Sequence, residues 1–418
     1  IVEFERLSGG VNAIAKAAKL LSNAKFPVIL NGAGVVIGGA IEASKDLAER
    51  LSAPVCCGYQ HNDAFPGSHP LFAGPLGYNG SKAAMELIAR ADVVLALGTR
   101  LNPFSTLPGY GIDYWPTGAK IIQVDINPDR IGLTKPVTVG IVGDAKQVAE
   151  QILAQLSDTA GDAGRQERRD LIATTKSAWA QTLTSMDHED DDEGTTWNQR
   201  ARADKPDHMS PRQAWRAIQA ALPRDAIISS DIGNACAIGN AYPTFEEGRK
   251  YLAPGLFGPC GYSFPAILGA KIGQPDTPVV GFAGDGAFGI SMNEMTACGR
   301  DEWPAITMVI FRNYQWGAEK RNTTLWYNDN FVGTELDYNV SYAGIAQACG
   351  VKGVVATTME GLTDALNTAV NAQMNDRVTT FIEVMLNQEL GEPFRRDAMT
   401  TPVKVAGISA ADMRPQKV

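Results

Sequence analysis

The chain has 418 residues, 44 % of them hydrophobic and 20 % charged, and a formal net charge of −9. This length predicts two or three domains, and the acidic balance argues against binding to nucleic acid or to an anionic membrane. No apolar run approaches the roughly 18–20 residues that span a bilayer. The six cysteines lack metal-ligand spacing and are too few for a disulfide framework, so we expect reduced thiols in a cytoplasmic protein.

The first predicted domain, residues 1–157, alternates helical and strand-like patterns. Helices are predicted over 11–24, 40–51 and 144–156, the last with Asp144 as its N-cap. Strands are predicted in the runs "PVILNGAG", "APVCCG", "ADVVLALGTR" and "KIIQVDINP". This alternation predicts a parallel sheet with crossover helices. The run "GAGVVIGG" has Ile37 where a dinucleotide-binding fingerprint needs its last glycine, which argues against dinucleotide binding.

A polar stretch, residues 158–206, follows the first domain and is predicted to be an interdomain linker with some helix. Its acidic run "MDHEDDDEG" does not place glycine and glutamate where an EF-hand loop needs them. The second α/β domain, 207–390, is predicted to begin with a helix capped by Ser210 and started by Pro211. The tail, 391–418, has no clear periodicity.

Further elements of the second domain follow the same alternation. Strands are predicted in "AIISSDIGN", "PVVGFAGDGAF", "AITMVIFRNYQWG", "VKGVVA" and "TTFIEVML". Helices are predicted in "GYSFPAILGAKIG" and near 291–299, 342–349 and 361–372. This order again predicts a mainly parallel sheet.

The run "VVGFAGDGAFGI" places Asp285 between Gly284 and Gly286 at the end of an apolar strand. Ligands of open parallel sheets bind beyond the carboxyl ends of the strands, and free backbone N–H groups there suit phosphate. Glycines let the backbone approach such a ligand closely. A carboxylate beside a phosphate requires a cation between them, and Mg²⁺ takes oxygen ligands from both.

Asn313 supplies a second oxygen at the end of the next strand. Residues 287–312, which separate Gly286 from Asn313, are long enough for a helix, a turn and a strand. Because consecutive parallel strands end at one edge of a sheet, we expect Asp285 and Asn313 to lie together. The sequence therefore predicts a metal site made of one acid, one amide and a nearby backbone carbonyl.

The pattern GDG followed at this spacing by Asn resembles the diphosphate-anchoring signature of thiamine-diphosphate enzymes. Over almost its whole length the chain is similar to the acetohydroxyacid synthase and pyruvate oxidase group, and "GAG", "LGTRLN" and "VDINPDR" match the middle domain of that group. The resemblance implies an α/β fold of two doubly wound domains with mainly parallel sheets. It implies a Rossmann-like, six-stranded middle domain at 1–157, a diphosphate-binding domain at 207–390, and thiamine diphosphate and Mg²⁺ as cofactors.

The resemblance also implies roles for individual residues. Mg²⁺ would be held by Asp285, Asn313 and the backbone oxygen of Gln315. The other cofactor-binding positions would be Gly233, Asn234, Ala235, Gly258, Cys260, Gly284, Gly286, Ala287, Trp316 and Gly317. Of these, Gly258 and Cys260 match positions that face the aminopyrimidine ring. The family commonly has a larger apolar residue, often Met, in place of Cys260, so the support could be rebuilt from Leu256 or Phe257.

Several loops make the resemblance specific to one subgroup of the family: "CCGYQHNDAFPGSHPLFAGPLGYNGSK", "NPFSTLPGYGIDYWP", "FRNYQWGAEKRN" and "NQELGEPFRRDAM". They are similar to the family's members in sulfonate degradation that convert sulfoacetaldehyde and phosphate into acetyl phosphate and sulfite. Two anions must then be bound, and the candidates are Lys320, Arg321, Arg395 and Arg396. The alternative for each pair is a surface charge or an ordinary salt bridge. His61 and His69 are further candidates, whereas His188 and His208 are expected to have no role.

Family members carry a preceding domain whose Glu activates the cofactor, and this chain begins where the middle domain begins. We therefore assign no catalytic residue, and we expect activity only with that domain. We also expect a homodimer or homotetramer with active sites between chains. The alternatives are an acetolactate synthase or another thiamine-diphosphate-dependent lyase, and a non-catalytic nucleotide-binding module. A flavin-using relative would need its flavin contacts in the loop around 100–111.

Overall fold

The computed structural model describes residues 6–186, 201, 204–205, 207–255, 257–326 and 330–390. They form two compact units. The first takes its described residues from 1–64 and 70–176, and the second takes them from 65–69 and 177–392. The division after residue 176 lies within the stretch predicted as a linker, where the long helix Arg165–Ser185 is found.

The first unit contains a six-stranded parallel sheet with the strand order β3-β2-β1-β4-β5-β6. The strands are β1 Pro27–Asn31, β2 Val55–Cys57, β3 Phe72–Pro75, β4 Val93–Leu97, β5 Lys120–Asp125 and β6 Val139–Val142. The helices are α1 Val11–Ser22, α2 Ala33–Gly38, α3 Ile41–Leu51, α4 Lys82–Ile88, α5 Pro103–Thr106 and α6 Ala145–Gln155. The division between the units falls within the next helix, α7 Arg165–Ser185. Every residue of the central strands β1 and β4 is buried, as expected for strands covered on both faces.

The second unit contains another six-stranded parallel sheet, with the order β11-β12-β10-β9-β7-β8. Its strands are β7 Ile227–Ser230, β8 Tyr251–Leu252, β9 Val279–Gly284, β10 Thr307–Arg312, β11 Lys352–Ala356 and β12 Thr380–Met385. Its helices are α8 Pro211–Ala221, α9 Asn234–Ile238, α10 Ser263–Gly273, α11 Asp285–Ser291, α12 Met295–Cys298, α13 Gly317–Trp326, α14 Tyr342–Ala348 and α15 Met359–Asn375. The predicted fold class, two α/β domains with parallel sheets, is confirmed.

Local sequence signals explain where these helices begin. Asp144 caps α6 by accepting from the N–H groups of Lys146 and Gln147, both at 3.1 Å. Ser210 caps α8 in a capping box: Ser210 Oγ accepts from the Gln213 N–H, and Gln213 Oε1 accepts from the Ser210 N–H. The sequence reasoning located this helix start through Ser210 and Pro211. Both predicted N-caps are therefore confirmed.

The core of the second unit is built from aromatic and branched side chains on both faces of its sheet. Phe264, Phe288 and Phe381 contact one another with ring centroids 5.5–5.8 Å apart, and all three are fully buried. On another part of the sheet Trp215 packs on Phe282 at 4.8 Å. These contacts fix β9, whose carboxyl end carries Asp285.

One predicted helix is placed differently in the structure. The sequence predicted a helix near 291–299 after a Gly-flanked turn, but α11 begins at Asp285 itself. The extended backbone of Gly284 leads directly into the first helical turn, and the Gly286 N–H is satisfied by Asp285 Oδ1 at 2.9 Å. A short 3₁₀ turn over Met292–Glu294 then separates α11 from α12. Asp285 is therefore a helix-start residue.

Two general expectations can be compared with the described residues. Within them, no helix combines the length and the hydropathy needed to cross a membrane. All six cysteines are free thiols.

Candidate active site

The strand order of the second unit creates a crevice between β7 and β9. These two strands are neighbours, yet the chain leaves β7 toward β8 on one side and continues from β9 toward β10 on the other. Such a reversal is the point at which open α/β sheets bind ligands, just beyond the carboxyl ends of the strands. Asp231 follows β7 at this edge and Asp285 follows β9.

The Asp285 carboxylate is buried, with 1 % of its surface exposed, and accepts three hydrogen bonds. Oδ2 accepts from Arg312 Nη1 at 3.0 Å and from the Tyr314 N–H at 2.7 Å. Oδ1 accepts from the Gly286 N–H at 2.9 Å. Two carboxylate oxygens offer about four acceptor positions, so one remains, and it is on Oδ1.

Burial raises the pKa of Asp285 to about 6, against the opposing effect of the adjacent Arg312 charge. The dominant cause is the loss of hydration around a charged group in a low-dielectric site. A carboxylate held in this way gains from any further cation that reaches Oδ1. The electrostatics of the site therefore favour the metal that the sequence predicted.

The loop after β10 brings the other two predicted metal ligands to the same edge. Asn313 is 5 % exposed and Gln315 is 3 % exposed. Between them Tyr314 has φ 59°, a left-handed conformation that is costly for a large side chain but turns its N–H toward Asp285. The backbone of this loop is thus shaped around the carboxylate.

The backbone oxygen of Gln315 is directed away from its neighbouring strand. Gln315 and Glu335 form an antiparallel bridge whose hydrogen bonds join Trp316 to Thr334 and Leu336 to Tyr314. Gln315 and Glu335 are thus a non-hydrogen-bonded pair, in which both residues point their own N–H and C=O groups away from the partner strand. The Gln315 backbone oxygen therefore points away from the strand with which Gln315 pairs.

Gly317 shows how closely the predicted residues converge. A Cβ atom at Gly317 would lie 3.2 Å from Asn234 Cβ, 3.6 Å from Gln315 Nε2 and 3.8 Å from Asn313 Nδ2. The loops after β7 and β10 therefore meet at this glycine. Trp316 packs its ring against Gly286, where an added Cβ would lie 3.0 Å from three ring atoms.

The loop after β7 places the predicted diphosphate contacts at the start of α9. Gly233 has φ 144°, a conformation that favours glycine, and a Cβ there would meet no atom within 4 Å. Asn234 donates to the Leu390 carbonyl oxygen, and Trp215 Nε1 donates to the Ala235 carbonyl oxygen at 2.7 Å. Hydrogen bonds of Asn234 and Ala235 therefore hold the loop in place, while the space beside Gly233 is unfilled.

Asp231 fixes the segment that carries Gly258 and Cys260. Its Oδ1 accepts from the Gly261 N–H at 3.1 Å, and its Oδ2 accepts from the Ser263 N–H at 2.8 Å. Gly258 has a positive φ of 67°. Burial, with a smaller effect of Asp231, raises the pKa of the Cys260 thiol. Phe257 is 91 % exposed, and Leu256 lies outside the described residues.

The four candidate anion-binding residues differ in their surroundings. Lys320 is 1 % exposed and donates to Glu335 Oε1, with Gln388 Oε1 at 3.4 Å. Arg321 Nη1 donates to Asn234 Oδ1 at 3.1 Å, which places its charge beside the predicted diphosphate loop. Arg395 and Arg396 lie outside the described residues.

The candidate histidines belong to different units. His61 lies in the first unit, where burial and the Arg100 charge lower its pKa to about 4. His69 lies in the segment Phe65–His69 of the second unit and packs edge-on against Phe65. His208, expected to have no role, stacks on Tyr314, and His188 lies outside the described residues.

Features of the described site fit a bound diphosphate and cation. Gly233 and Gly284 both face space in which an added Cβ would touch nothing within 4 Å. Gln315 Oε1 is buried without a hydrogen-bond partner, which is costly unless a ligand group satisfies it. Asp285 Oδ1 retains one acceptor position. The described residues contain no cluster of three His, Cys, Asp or Glu side chains, and the predicted ligand set needs none.

Sequence reasoning missed three residues of this site. Arg312 and Asp231 were quoted within motifs but given no role, although each holds a loop at the carboxyl edge. A charged residue at the end of an otherwise apolar strand was the available signal for both. Tyr342, whose hydroxyl donates to the Asp285 carbonyl oxygen at 3.0 Å, comes from α14 and had no such signal.

Two family models match the chain. Residues 14–152 match the central domain of thiamine pyrophosphate enzymes, and residues 231–384 match their C-terminal TPP binding domain. The chain belongs to the thiamine pyrophosphate enzyme family. Thiamine pyrophosphate is another name for thiamine diphosphate, so the predicted organic cofactor is confirmed at the level of the family.

Individual relatives agree with this membership. The chain is 78 % identical over all 418 of its residues to a sulfoacetaldehyde acetyltransferase of Roseovarius nubinhibens, of which it covers 69 %. It is 30 % identical over 406 residues to an acetolactate synthase large subunit of Corynebacterium glutamicum, of which it covers 60 %. The predicted grouping with sulfoacetaldehyde acetyltransferases is therefore confirmed.

The fold agrees with that of a solved structure. The chain matches benzoylformate decarboxylase from Polynucleobacter necessarius with a TM-score of 0.69, covering 94 % of this chain and 68 % of that one. Sequence identity is 18 %, so the likeness concerns the fold alone.

Proposed function

We propose that this protein converts sulfoacetaldehyde and phosphate into acetyl phosphate and sulfite, with thiamine diphosphate and Mg²⁺. The observation that carries the proposal is the 78 % identity, over the whole chain, to a sulfoacetaldehyde acetyltransferase. The 30 % identity to an acetolactate synthase makes that alternative weaker. The reaction class is acyl transfer to phosphate.

In this proposal Mg²⁺ is held by Asp285 Oδ1, the Asn313 side chain and the backbone oxygen of Gln315. The free acceptor position on Oδ1 and the outward carbonyl of Gln315 support this set. The remaining N–H groups at the starts of α9 and α11 would donate to the diphosphate, because the first turn of a helix leaves them without intrahelical partners. When bound, thiamine diphosphate supplies a nucleophilic carbon and an electron sink for the carbonyl substrate.

Arg321 is the strongest candidate for holding one of the two anionic substrates. Its hydrogen bond to Asn234 places a guanidinium beside the predicted diphosphate loop. Lys320 is less suited, because its ammonium group is buried and paired with Glu335. Arg321→Gln should raise the KM for phosphate or sulfoacetaldehyde by about tenfold, since a charged hydrogen bond is lost. An unchanged KM for both substrates would return Arg321 to a structural role.

We also propose that the active enzyme is a homodimer or homotetramer. Phe257 is 91 % exposed and Ile290 is 60 % exposed, and both lie on elements that border the candidate site. A Cβ at Gly261 would lie 3.0 Å from Ile290, so the loop and α11 present these apolar groups together. Sedimentation analysis checks this proposal: a dimer or tetramer is expected, and a stable, active monomer would contradict it.

The activity is tested with the purified full-length protein, sulfoacetaldehyde, phosphate, thiamine diphosphate and Mg²⁺. We expect acetyl phosphate and sulfite in equal amounts, and neither product when the cofactor is omitted. Pyruvate serves as the control substrate. Formation of acetolactate from pyruvate, without acetyl phosphate from sulfoacetaldehyde, would overturn the proposal in favour of a synthase.

A further inference from the structure

Arg312, the last residue of β10, is a buried cation that directly contacts the proposed metal ligand. Its side chain is 1 % exposed, and its Nη1 donates to Asp285 Oδ2 at 3.0 Å. The register of the sheet explains the contact, because Phe311 pairs with Gly284 and the next residue of each strand, Arg312 and Asp285, therefore lies beside the other. An arginine among apolar strand residues is thus aimed at one carboxylate oxygen.

The guanidinium is held rigidly in this position. Nη2 donates to the backbone oxygens of Asp337 and Val340, the latter at 3.2 Å. Its Cζ atom lies over the rings of Tyr314 and Tyr342, 4.2 Å and 5.3 Å from their centroids. The Glu383 carboxylate lies 3.7 Å from Nε and supplies a second negative charge. Because partners surround the guanidinium, its contact with Asp285 is fixed before any metal arrives.

This contact makes the two oxygens of Asp285 unequal. Oδ2 already accepts from Arg312 and from the Tyr314 N–H, which use both of its acceptor positions. Oδ1 accepts only from the Gly286 N–H. A cation can therefore bind Asp285 through Oδ1 alone, and bidentate binding would require the loss of a charge-assisted hydrogen bond.

We propose that Arg312 is a positioning residue that restricts Asp285 to single-oxygen coordination and so favours Mg²⁺ over Ca²⁺. Mg²⁺ demands near-octahedral geometry and is commonly held by single carboxylate oxygens, whereas Ca²⁺ takes six to eight oxygens and accepts bidentate carboxylates. The inference rests on the Mg²⁺ site of the proposed function. It adds a specificity role for a residue outside the ligand set.

The variants Arg312→Gln and Arg312→Lys test this role in the purified full-length protein. Thiamine diphosphate binding is titrated by calorimetry in Mg²⁺ and, separately, in Ca²⁺. For Arg312→Gln we expect the preference for Mg²⁺ over Ca²⁺ to fall at least about fivefold, because Oδ2 gains a free acceptor position. Arg312→Lys keeps a cation near Oδ2 and should retain more of the preference. Equal weakening with both metals would show a merely structural role and overturn the inference.

Arg168→Gln is the matched control. Arg168 is a buried arginine of the first unit that donates to backbone oxygens, including Leu51 at 3.0 Å. Its loss should lower stability and leave the metal preference unchanged. A wild-type protein that binds thiamine diphosphate without any divalent cation would overturn the proposed function itself, which is a different outcome from an unaltered preference in the variants.

A measurement on the wild-type protein does not depend on how the variants fold. Crystals grown with Ca²⁺ and thiamine diphosphate should show Asp285 binding the cation through Oδ1 only, with the Arg312–Oδ2 hydrogen bond intact. Bidentate Asp285 in that structure would contradict the proposal directly.

Discussion

The two domains share one architecture, but two glycines at each carboxyl edge differ in how much space surrounds them. In the first unit, Cβ atoms at Gly32 and Gly34 would lie 2.5 Å from Thr99 Cβ and 2.7 Å from Gly98 Cα, so these glycines permit close packing. In the second unit, Gly233 and Gly284 have no atom within 4 Å of the same test position. The two sheets have the same architecture, so the fold alone does not show which carboxyl edge binds a ligand. The unfilled space beside Gly233 and Gly284 points to the edge of the second unit.

The ionisable groups near the two carboxyl edges also differ in their pKa shifts. His61 of the first unit has a pKa lowered to about 4 by burial and by Arg100, so it is neutral over the physiological range. Burial raises the pKa of Asp285 in the second unit to about 6, and the Arg312 charge opposes a further rise. A neutral imidazole adds little to an anion site, whereas a buried carboxylate attracts a cation.

Replacing Asp285 with Ala should give the largest effect, the loss of Mg²⁺-dependent thiamine diphosphate binding. Changes that only orient a metal ligand cost 10–100-fold, so removing a ligand should exceed about 100-fold. Calorimetric titration measures the effect, and Asp144→Ala, which removes a helix cap in the first unit, is the control. Unchanged affinity in Asp285→Ala would remove the metal assignment.

Replacing Gly34 with Ala should destabilise the first domain by about 1–3 kcal/mol, because backbone atoms of Gly98 leave no room for the methyl group. Native-state hydrogen exchange of the β1 and β4 amides measures this change domain by domain. Affinity for thiamine diphosphate should stay the same. A stable variant with weakened cofactor binding would instead place a ligand at the first edge.

Replacing Gly284 with Ala should give the reverse result. Its backbone is extended rather than left-handed and the space around it is open, so stability should change by less than about 1 kcal/mol. The methyl group would occupy the space assigned to the cofactor, and we expect affinity to fall about tenfold. Full affinity in this variant would show that the open space serves no ligand.

Acid stability of the first domain should depend on His61. Its pKa is lowered from 6.5 to about 4, so the unfolded chain binds a proton first as the pH falls. Stability is therefore complete above about pH 6.5 and is lost progressively toward pH 4, by an amount on the order of 2 kcal/mol. In His61→Gln the β1 amides should show a flatter dependence on pH between 7 and 4.5. Equal slopes in both proteins would refute the assignment.

Sequence patterns predicted the parts of the fold that depend on long apolar runs. The central strands β1, β4, β9 and β10 and the capped helices α6 and α8 were located because burial and capping leave local signals. The strands β3, β6 and β8 were not identified individually. β8 has two residues, β3 contains Gly74 and Pro75, and β6 alternates buried and exposed residues over only four positions.

The candidate site was predictable where its residues follow strands directly. Asp285 and Asn313 lie at such positions, and their adjacency follows from the parallel pairing of β9 with β10. The contacts of Arg312 and Tyr342 depend on side-chain direction and on the packing of α14, which no local pattern encodes. The start of α11 at Asp285 was missed because the flanking glycines indicate a turn rather than a helix.

The coordination of the metal is the most direct test of this account. Crystals of the full-length protein with thiamine diphosphate and Mn²⁺, in place of Mg²⁺, would locate the ion by its anomalous signal. We predict a peak within about 2.5 Å of Asp285 Oδ1, the Asn313 side-chain oxygen and the Gln315 backbone oxygen. A cofactor bound with its metal away from Asp285, or bound with no metal, would contradict the account.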